Sequence, residues 1–531
     1  MLKSLKKFFK LPVKDRKLEP EGYRIETSTW PEAGGENILS GISTALHSGA
    51  TTVEVTGNHP SSFAPHIMRE LKNFIEQENL DINIHTRIQL RIARAIRRDY
   101  ERVQDYLKGY VEVAEELDSD YINVHTSSFP SPELGRVTGV SRGTTVSPDG
   151  KTAEEFIIDM AKKSEKVFSH VIDVLMDSRL PNVTHYAAED IIREIAEERN
   201  VELDAAENEF KRKFRDDDED LIEMIKEVLR DKFRKVNKLP FETGSRIIDE
   251  LMMYKMVAWK MYEENHPIWN KICGGEEPDE VADRNMSDLI DAVAGRYIEG
   301  HIEKLKDDLE SSGVILTLET PNAEEGRFIG YYRLVDPEKI YHVVKSIGHP
   351  LVRLCIDFEH IASHGISPAK AMKEAPGGIG EVTYVVHISG EPVPGHRHKP
   401  LEKGDIDLYR MLWNLRKKGF EGGYLNFERG GGGERIQEGR EDPYQDSLPN
   451  LKEIVMYLED DTPPEELPEE FYGYTDKEFK QERATVLSHT FDPLEGLIET
   501  PELKDSLLAK YAKDTEPRMR GEGAWEREEH R

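Results

Sequence analysis

Four short apolar runs, separated by roughly helix-sized spacers, each finish on a side chain able to bind a metal ion. They are Val314-Ile315-Leu316-Thr317-Leu318-Glu319, Leu354-Cys355-Ile356-Asp357 with Phe358-Glu359-His360 directly behind it, residues 382–387 ending on His387, and Tyr424-Leu425-Asn426-Phe427-Glu428. An apolar run of this length that turns polar at its end reads as a parallel strand buried on both faces. One polar strand end is ordinary. Four in series point to a fold in which strand ends meet, the mouth of an α/β barrel.

The text before them follows the same alternation. Residues 24–27 read as a first strand, and Ala33-Gly34-Gly35-Glu36-Asn37 as a turn opening a helix through Ile38, Ile42, Ala45 and Leu46. Residues 51–56 form a second strand, 67–78 a helix, 81–85 a third strand ending on His85, 91–117 a helix and 121–125 a fourth strand ending on His125. Between residues 141 and 295 the chain is helical and charged, with helices over 153–180, 188–238 and 246–263, far longer than the dozen or so residues a crossover needs. The acidic run at 216–220 reads as a solvated helix start, because consecutive acids point in different directions around a helix. A helix over 297–309 returns the chain to the Glu319 strand.

The expected architecture is therefore α/β: a (β/α)8 TIM barrel with a large helical insertion between strands 4 and 5 and a C-terminal tail. Its parts are a basic arm at 1–22, barrel halves at 23–140 and 296–460, the insertion at 141–295, and an acidic linker with a partly helical tail at 461–531. Gly430 to Gly433 lack the surroundings of a P-loop and read as a flexible loop.

A net charge of -31 with 33% charged residues describes a heavily solvated chain and argues against general nucleic-acid affinity, though a local basic groove remains open. Cys273 and Cys355 are the whole cysteine content, so no disulfide framework exists and a reducing compartment is expected. Cys355 reads as a small core hydrophobe. No apolar run approaches the roughly 20 residues of a membrane span, and the N-terminus has neither the apolar core nor the cleavage site of a signal peptide. A cytoplasmic location is the expectation, with the insertion and tail as surfaces for protein partners.

A mixture of imidazoles and carboxylates suits zinc or manganese. Nine candidate ligands, Glu319, Asp357 and Glu428 among them, are too many for one ion and suit two or three, since a carboxylate bridges ions and an imidazole does not. Ions about 3.5–4 Å apart clamp both the attacking and leaving oxygens of an in-line displacement. Taken singly, a strand-end histidine is as readily a hydrogen-bonded structural residue, and His364 reads as a surface residue at a helix start. Acids gathered at one mouth, however, repel one another without a cation.

Ala33-Gly34-Gly35-Glu36-Asn37 with its helix, Gly49-Ala50-Thr51, and Asn58 after strand two together resemble the opening of endonuclease IV, the zinc-dependent apurinic/apyrimidinic endonuclease of the xylose-isomerase-like TIM-barrel superfamily. Glu319-Thr320-Pro321-Asn322-Ala323-Glu324-Glu325-Gly326 is similar to that family's Glu-Asn-Thr-Ala-Gly-Gln-Gly stretch, and Asp357 to Gly365 to its Asp-Thr-Cys-His-Ala-Phe-Ala-Ala-Gly. His396-Arg397-His398 resembles its Asp-Arg-His motif. Carried over, the resemblance implies three metal sites. His85, His125 and Glu319 hold one ion, and Glu319 bridges to a second held also by Asp357, His387 and Glu428. His360, His396 and His398 hold the third.

His396 stands where the family has Asp, which implies a weaker or differently selective third site. Arg397 between two ligands suits a phosphate contact or an exposed ion pair. Glu319 and Glu428 are the acids expected to act in catalysis. The implied activity is phosphodiester hydrolysis in damaged duplex DNA, abasic-site cleavage in DNA repair, by hydroxide generated on two or three zinc ions, with manganese as the other option. Sugar isomerases and epimerases of the superfamily use a single ion held by two Glu, one Asp and one His, here Glu319, Glu428, Asp357 and His387. Those four do not separate the two activities; His85, His125, His360, His396 and His398 do.

Overall fold

Eight strands pair side by side in chain order, all parallel, and the last closes on the first. They are β1 (Tyr23–Thr29), β2 (Thr52–Thr56), β3 (Asp81–His85), β4 (Tyr121–His125), β5 (Ile315–Glu319), β6 (Val352–Asp357), β7 (Thr383–Ile388) and β8 (Gly423–Phe427). The computed structural model describes residues 22–29, 38–87, 90–126, 144–177, 181–216, 218–239, 248–323, 332–390, 392, 398–429 and 444–472. The N-terminal arm, the Gly34-Gly35 turn, His396 with Arg397, the four-glycine loop and the tail beyond residue 472 lie outside these.

Strands β2, β4, β5, β7 and β8 are buried along their whole length, as a barrel requires when side chains fill its inside and helices cover its outside. Successive strand side chains alternate in and out, so residues two apart stack in layers inside the barrel. Register fixes which strand ends meet. His125 lies opposite Glu319, and Asp357 opposite His387. Two of the outer helices begin on side-chain caps, Asp336 accepting from the Glu338 amide and Asp405 from the Leu408 amide. Gly348 ends the Pro337–Ile347 helix at φ +62°, a left-handed conformation that favours glycine.

Between β4 and β5 the chain is helical, but more broken than its periodicity suggests. The helix expected over 153–180 is two, Ala153–Lys163 and Glu165–Asp177, interrupted at Ser164. The one expected over 188–238 is three, Pro181–Arg199, Leu203–Arg215 and Glu219–Lys235. Asn200 supplies the first break by taking φ +52°, and Asp218 caps the last helix by accepting from the Leu221 amide, so the acidic run does start a helix. The returning helix runs from Pro278 to Ser312, with non-helical backbone at Asn285.

These helices are tied to the loop that leaves β3. Arg94, buried, places Nε 2.7 Å from Oε1 of the buried Glu250, and the same oxygen accepts from the Ala95 amide at 2.9 Å. Tyr254 donates its hydroxyl to the Ala93 carbonyl, and Tyr297 to that of Val146. Gly300 is where the long helix meets the chain at Pro148; a β-carbon there would lie 2.1 Å from the Pro148 carbonyl oxygen.

Candidate metal centre

At the C-terminal end of the barrel the sequence-expected ligands come together. His85, His125, Glu319, Asp357, His387 and Glu428 arrive from the ends of six different strands, His360 from the helix Phe358–Ser363 behind β6, and His398 from the segment after β7. All are buried. His396 lies outside the described residues.

Three overlapping groups of His and acid side chains form, in each of which the donor atoms lie within 4.8 Å of one another: His85, His125 and Glu319; Glu319, Asp357, His387 and Glu428; and His360, His398 and Glu428. Glu319 belongs to two groups through different oxygens. Its Oε2 is 3.1 Å from His85 Nε2 and 3.2 Å from His125 Nε2, while its Oε1 is 3.4 Å from His387 Nδ1. Glu428 does the same, with Oε1 3.0 Å from His387 Nδ1 and Oε2 3.2 Å from His398 Nδ1. Two carboxylates therefore link three clusters of donors, and Glu428 stands in the third cluster, where the sequence reading placed only histidines.

Local structure aims the rings. His85 holds its Nδ1 2.6 Å from the Thr86 carbonyl, which leaves Nε2 toward Glu319. The His360 Nδ1 lies 2.8 Å from the Thr320 carbonyl. Imidazole ligands commonly use one nitrogen in this way to fix the other. The Asp357 side chain caps the helix carrying His360, accepting from its amide at 2.6 Å.

The donors fit cations. His125 Nε2, Glu319 Oε1, His387 Nδ1 and Glu428 Oε2 are buried with no hydrogen-bond partner among the described residues, and buried polar atoms rarely stay so. Without ions, protons hold the group together. Burial works against a charged His85, but Glu54 and Glu319 outweigh it and push the ring up to about 9. His360 is likewise pushed up to about 10, burial being overcome by Asp357 and Glu319. Burial keeps His125 below its ordinary value, and Glu319 and Glu428 are held well below theirs against burial by the surrounding imidazoles.

Cys355 also approaches Glu319 and His387, yet burial lifts its thiol well above the ordinary range, and it packs with Tyr121, Ile315, Tyr384 and Tyr424. It is a core residue, as expected. His364 is a correction. It is buried, with Nε2 2.9 Å from the Pro321 carbonyl and its ring pushed down to about 4 by burial, because it closes the short helix against the loop after β5 and does not start a helix at the surface.

Sequence reasoning passed over a polar layer one step below the ligands. Asn123 Nδ2 donates to Glu319 Oε2 at 2.5 Å, and Asn426 Nδ2 to Glu54 Oε1 at 3.0 Å. Tyr121 donates its hydroxyl toward Glu26 and Glu54, at 2.5 and 3.0 Å. Burial, then Glu54, pushes the Glu26 carboxyl up to about 8. Glu359, also passed over, accepts from the His398 amide at 2.8 Å and holds a residue whose φ is +42°. The alternation in Thr52-Val53-Glu54-Val55-Thr56 sets Glu54 on the face opposite the valines without saying that this face lies inside the barrel. For Glu359 there was no signal.

A closed parallel barrel with imidazoles and carboxylates gathered at its C-terminal mouth defines a class of protein: an α/β barrel with candidate metal-ligand groups at its mouth. The comparisons agree on the barrel. Residues 278–454 match the model of the xylose isomerase-like TIM barrel family, which supports the superfamily without singling out endonuclease IV. Solved structures of related fold include a D-tagatose 3-epimerase-like protein, 12% identical, covering 82% of this chain and 98% of that one, TM-score 0.43. An L-ribulose 3-epimerase is 11% identical over 82% of this chain and 95% of its own, TM-score 0.40. The IOLI protein with a bound zinc atom is 10% identical over 82% and 98%, TM-score 0.38. No curated protein matches the chain. No helix among the described residues is long and apolar enough to cross a membrane.

Proposed function

We propose that this chain is a metal-dependent phosphodiester hydrolase working with two or three divalent ions, zinc first. The observation that carries the reading is that His85, His125, His360 and His398 stand around the inner four donors and share Glu319 and Glu428 with them. A single ion leaves those imidazoles without a task; several ions use them all.

Such ions supply Lewis acidity toward phosphoryl oxygens and make water a nucleophile near neutral pH. The chain's own residues do the rest. Glu319 and Glu428, each a member of two donor groups, would be the ligands shared between ions, and Asn123 holds one Glu319 oxygen in place. The backbone carbonyls of Thr86 and Thr320 fix two rings. Burial of the whole set keeps bulk water from screening its charges. Damaged duplex DNA as substrate rests on the motif resemblance alone, and the net charge of -31 leaves its binding to local basic surface.

A second reading, a single-ion sugar isomerase or epimerase, has its own observation: Glu319, Asp357, His387 and Glu428 form a complete four-donor set by themselves. The first two solved structures above are named as a sugar epimerase-like protein and a sugar epimerase. The deciding experiment incubates metal-loaded protein with duplex DNA carrying one abasic analogue, with undamaged duplex, and with a panel of ketoses. Strand cleavage is the expected result. Ketose turnover without nicking overturns the proposal in favour of the second reading.

A further inference from the structure

Arg87, two residues beyond His85, opens a cavity of about 140 Å³ that is separate from the metal-ligand group. Its walls carry four guanidinium groups, Arg87, Arg91, Arg98 and Arg102, one carboxylate, Asp99, and the ring of Tyr106. In a chain with 103 acidic and 72 basic residues, such an excess of cations around one cavity is out of character.

Asp99 does not neutralise it. Asp99 is buried, its Oδ2 lies 3.2 Å from Arg91 Nη1 and its Oδ1 3.6 Å from Arg98 Nε, so one charge is spread over two partners. Arg94 and Arg97, the other cations of this stretch, are turned away to Glu250 and Glu101. The cavity also lies against the first turns of the 21-residue helix Arg97–Leu117, whose N-terminal end adds positive potential. Guanidinium forks match the oxygens of phosphate in pairs. At roughly 30 Å³ per water, the cavity of about 140 Å³ has room for about four or five solvent molecules, enough for a tetrahedral oxyanion.

We propose that this cavity binds a phosphate group, brought either by a small phosphorylated molecule or by a phosphodiester strand whose neighbouring linkage faces the metals. The strand source rests on the hydrolase reading; the phosphate chemistry does not. Because β3 delivers His85 to the mouth and the following helix starts on that same side, the cavity flanks the metal group without sharing a ligand with it.

The test titrates the full chain as purified with inorganic phosphate by calorimetry, comparing it with Arg98→Ala/Arg102→Ala. Both side chains are exposed at the rim of the cavity and neither belongs to the metal-ligand group, so metal content, measured in parallel, is expected to stay unchanged. One class of phosphate sites is expected to weaken at least tenfold in the double variant and to be partly restored by Arg98→Lys/Arg102→Lys. Equal phosphate binding in wild type and double variant overturns the proposal. A second arm binds a short DNA duplex in chelator across a salt series. If a strand is the source, the slope of log K against log salt falls by about one for each arginine removed. An unchanged slope with lost phosphate binding assigns the site to a small phosphorylated ligand, and failure of DNA cleavage leaves the phosphate result standing.

Discussion

His387 shows one ring nitrogen to the ligand carboxylates and the other to Glu54. Its Nδ1 lies 3.0 Å from Glu428 Oε1 and 3.4 Å from Glu319 Oε1, while Nε2 lies 3.4 Å from Glu54 Oε2. Glu54, fully buried in the layer below, is thus placed to accept from a ring N–H at Nε2 and leave the other nitrogen's lone pair toward the ligand carboxylates. Glu54→Gln is expected to lower metal affinity about 10–100-fold, the usual effect of losing such a partner. Competition with a chromophoric chelator measures it, and wild-type affinity in the variant would show that Glu54 merely fills space.

Metal uptake should release protons. In the metal-free chain His85 is raised to about 9 and His360 to about 10 from an ordinary 6.5, so both rings are charged at pH 7.5 and must lose protons to the buffer before they bind an ion. Calorimetric titration in buffers of different ionisation enthalpy reads the number released. It is expected to be at least one at pH 7.5 and to decline as pH rises through about 9 to 10.

The same shifts fix how the metal-free fold responds to pH. A raised histidine stabilises the fold fully below its unfolded value near 6.5, and that contribution is lost as pH rises through about 9 to 10. The Tm of chelator-treated protein is expected to fall from about pH 6.5 to about pH 10, with metal-loaded protein falling less. A flat profile for both forms would remove the imidazolium–carboxylate account.

Glu250→Ala is expected to cost about 3–5 kcal/mol, because it leaves the Arg94 guanidinium buried without its carboxylate. Chemical denaturation measures the loss. Since Arg94 lies in the loop leaving β3, the variant should also reduce metal content, whereas Glu101→Ala, on the exposed neighbouring pair, should change neither.

How much of this was legible beforehand depended on which physical signal each residue left. Strand ends could be read because apolar runs stop where a ligand begins, so Glu319, Asp357, His387 and Glu428 declared themselves. Glu54 did not, since an acid alternating with valines looks the same whether it faces solvent or the inside of a barrel; only closure of the sheet puts it inside. Glu359 sits between two ligands in the text, and its direction is set by the helix beginning at Phe358. Helix breaks at Ser164 and Asn200 carry no glycine or proline, so the charged periodicity ran straight through them.

The most direct test is a count of ions. Elemental analysis of the purified, metal-loaded chain, with anomalous diffraction at the metal edges to place each ion, should find two or three per chain, with Glu319 and Glu428 each between neighbours. One ion per chain, held by Glu319, Asp357, His387 and Glu428 with His85, His125, His360 and His398 uninvolved, would contradict the account.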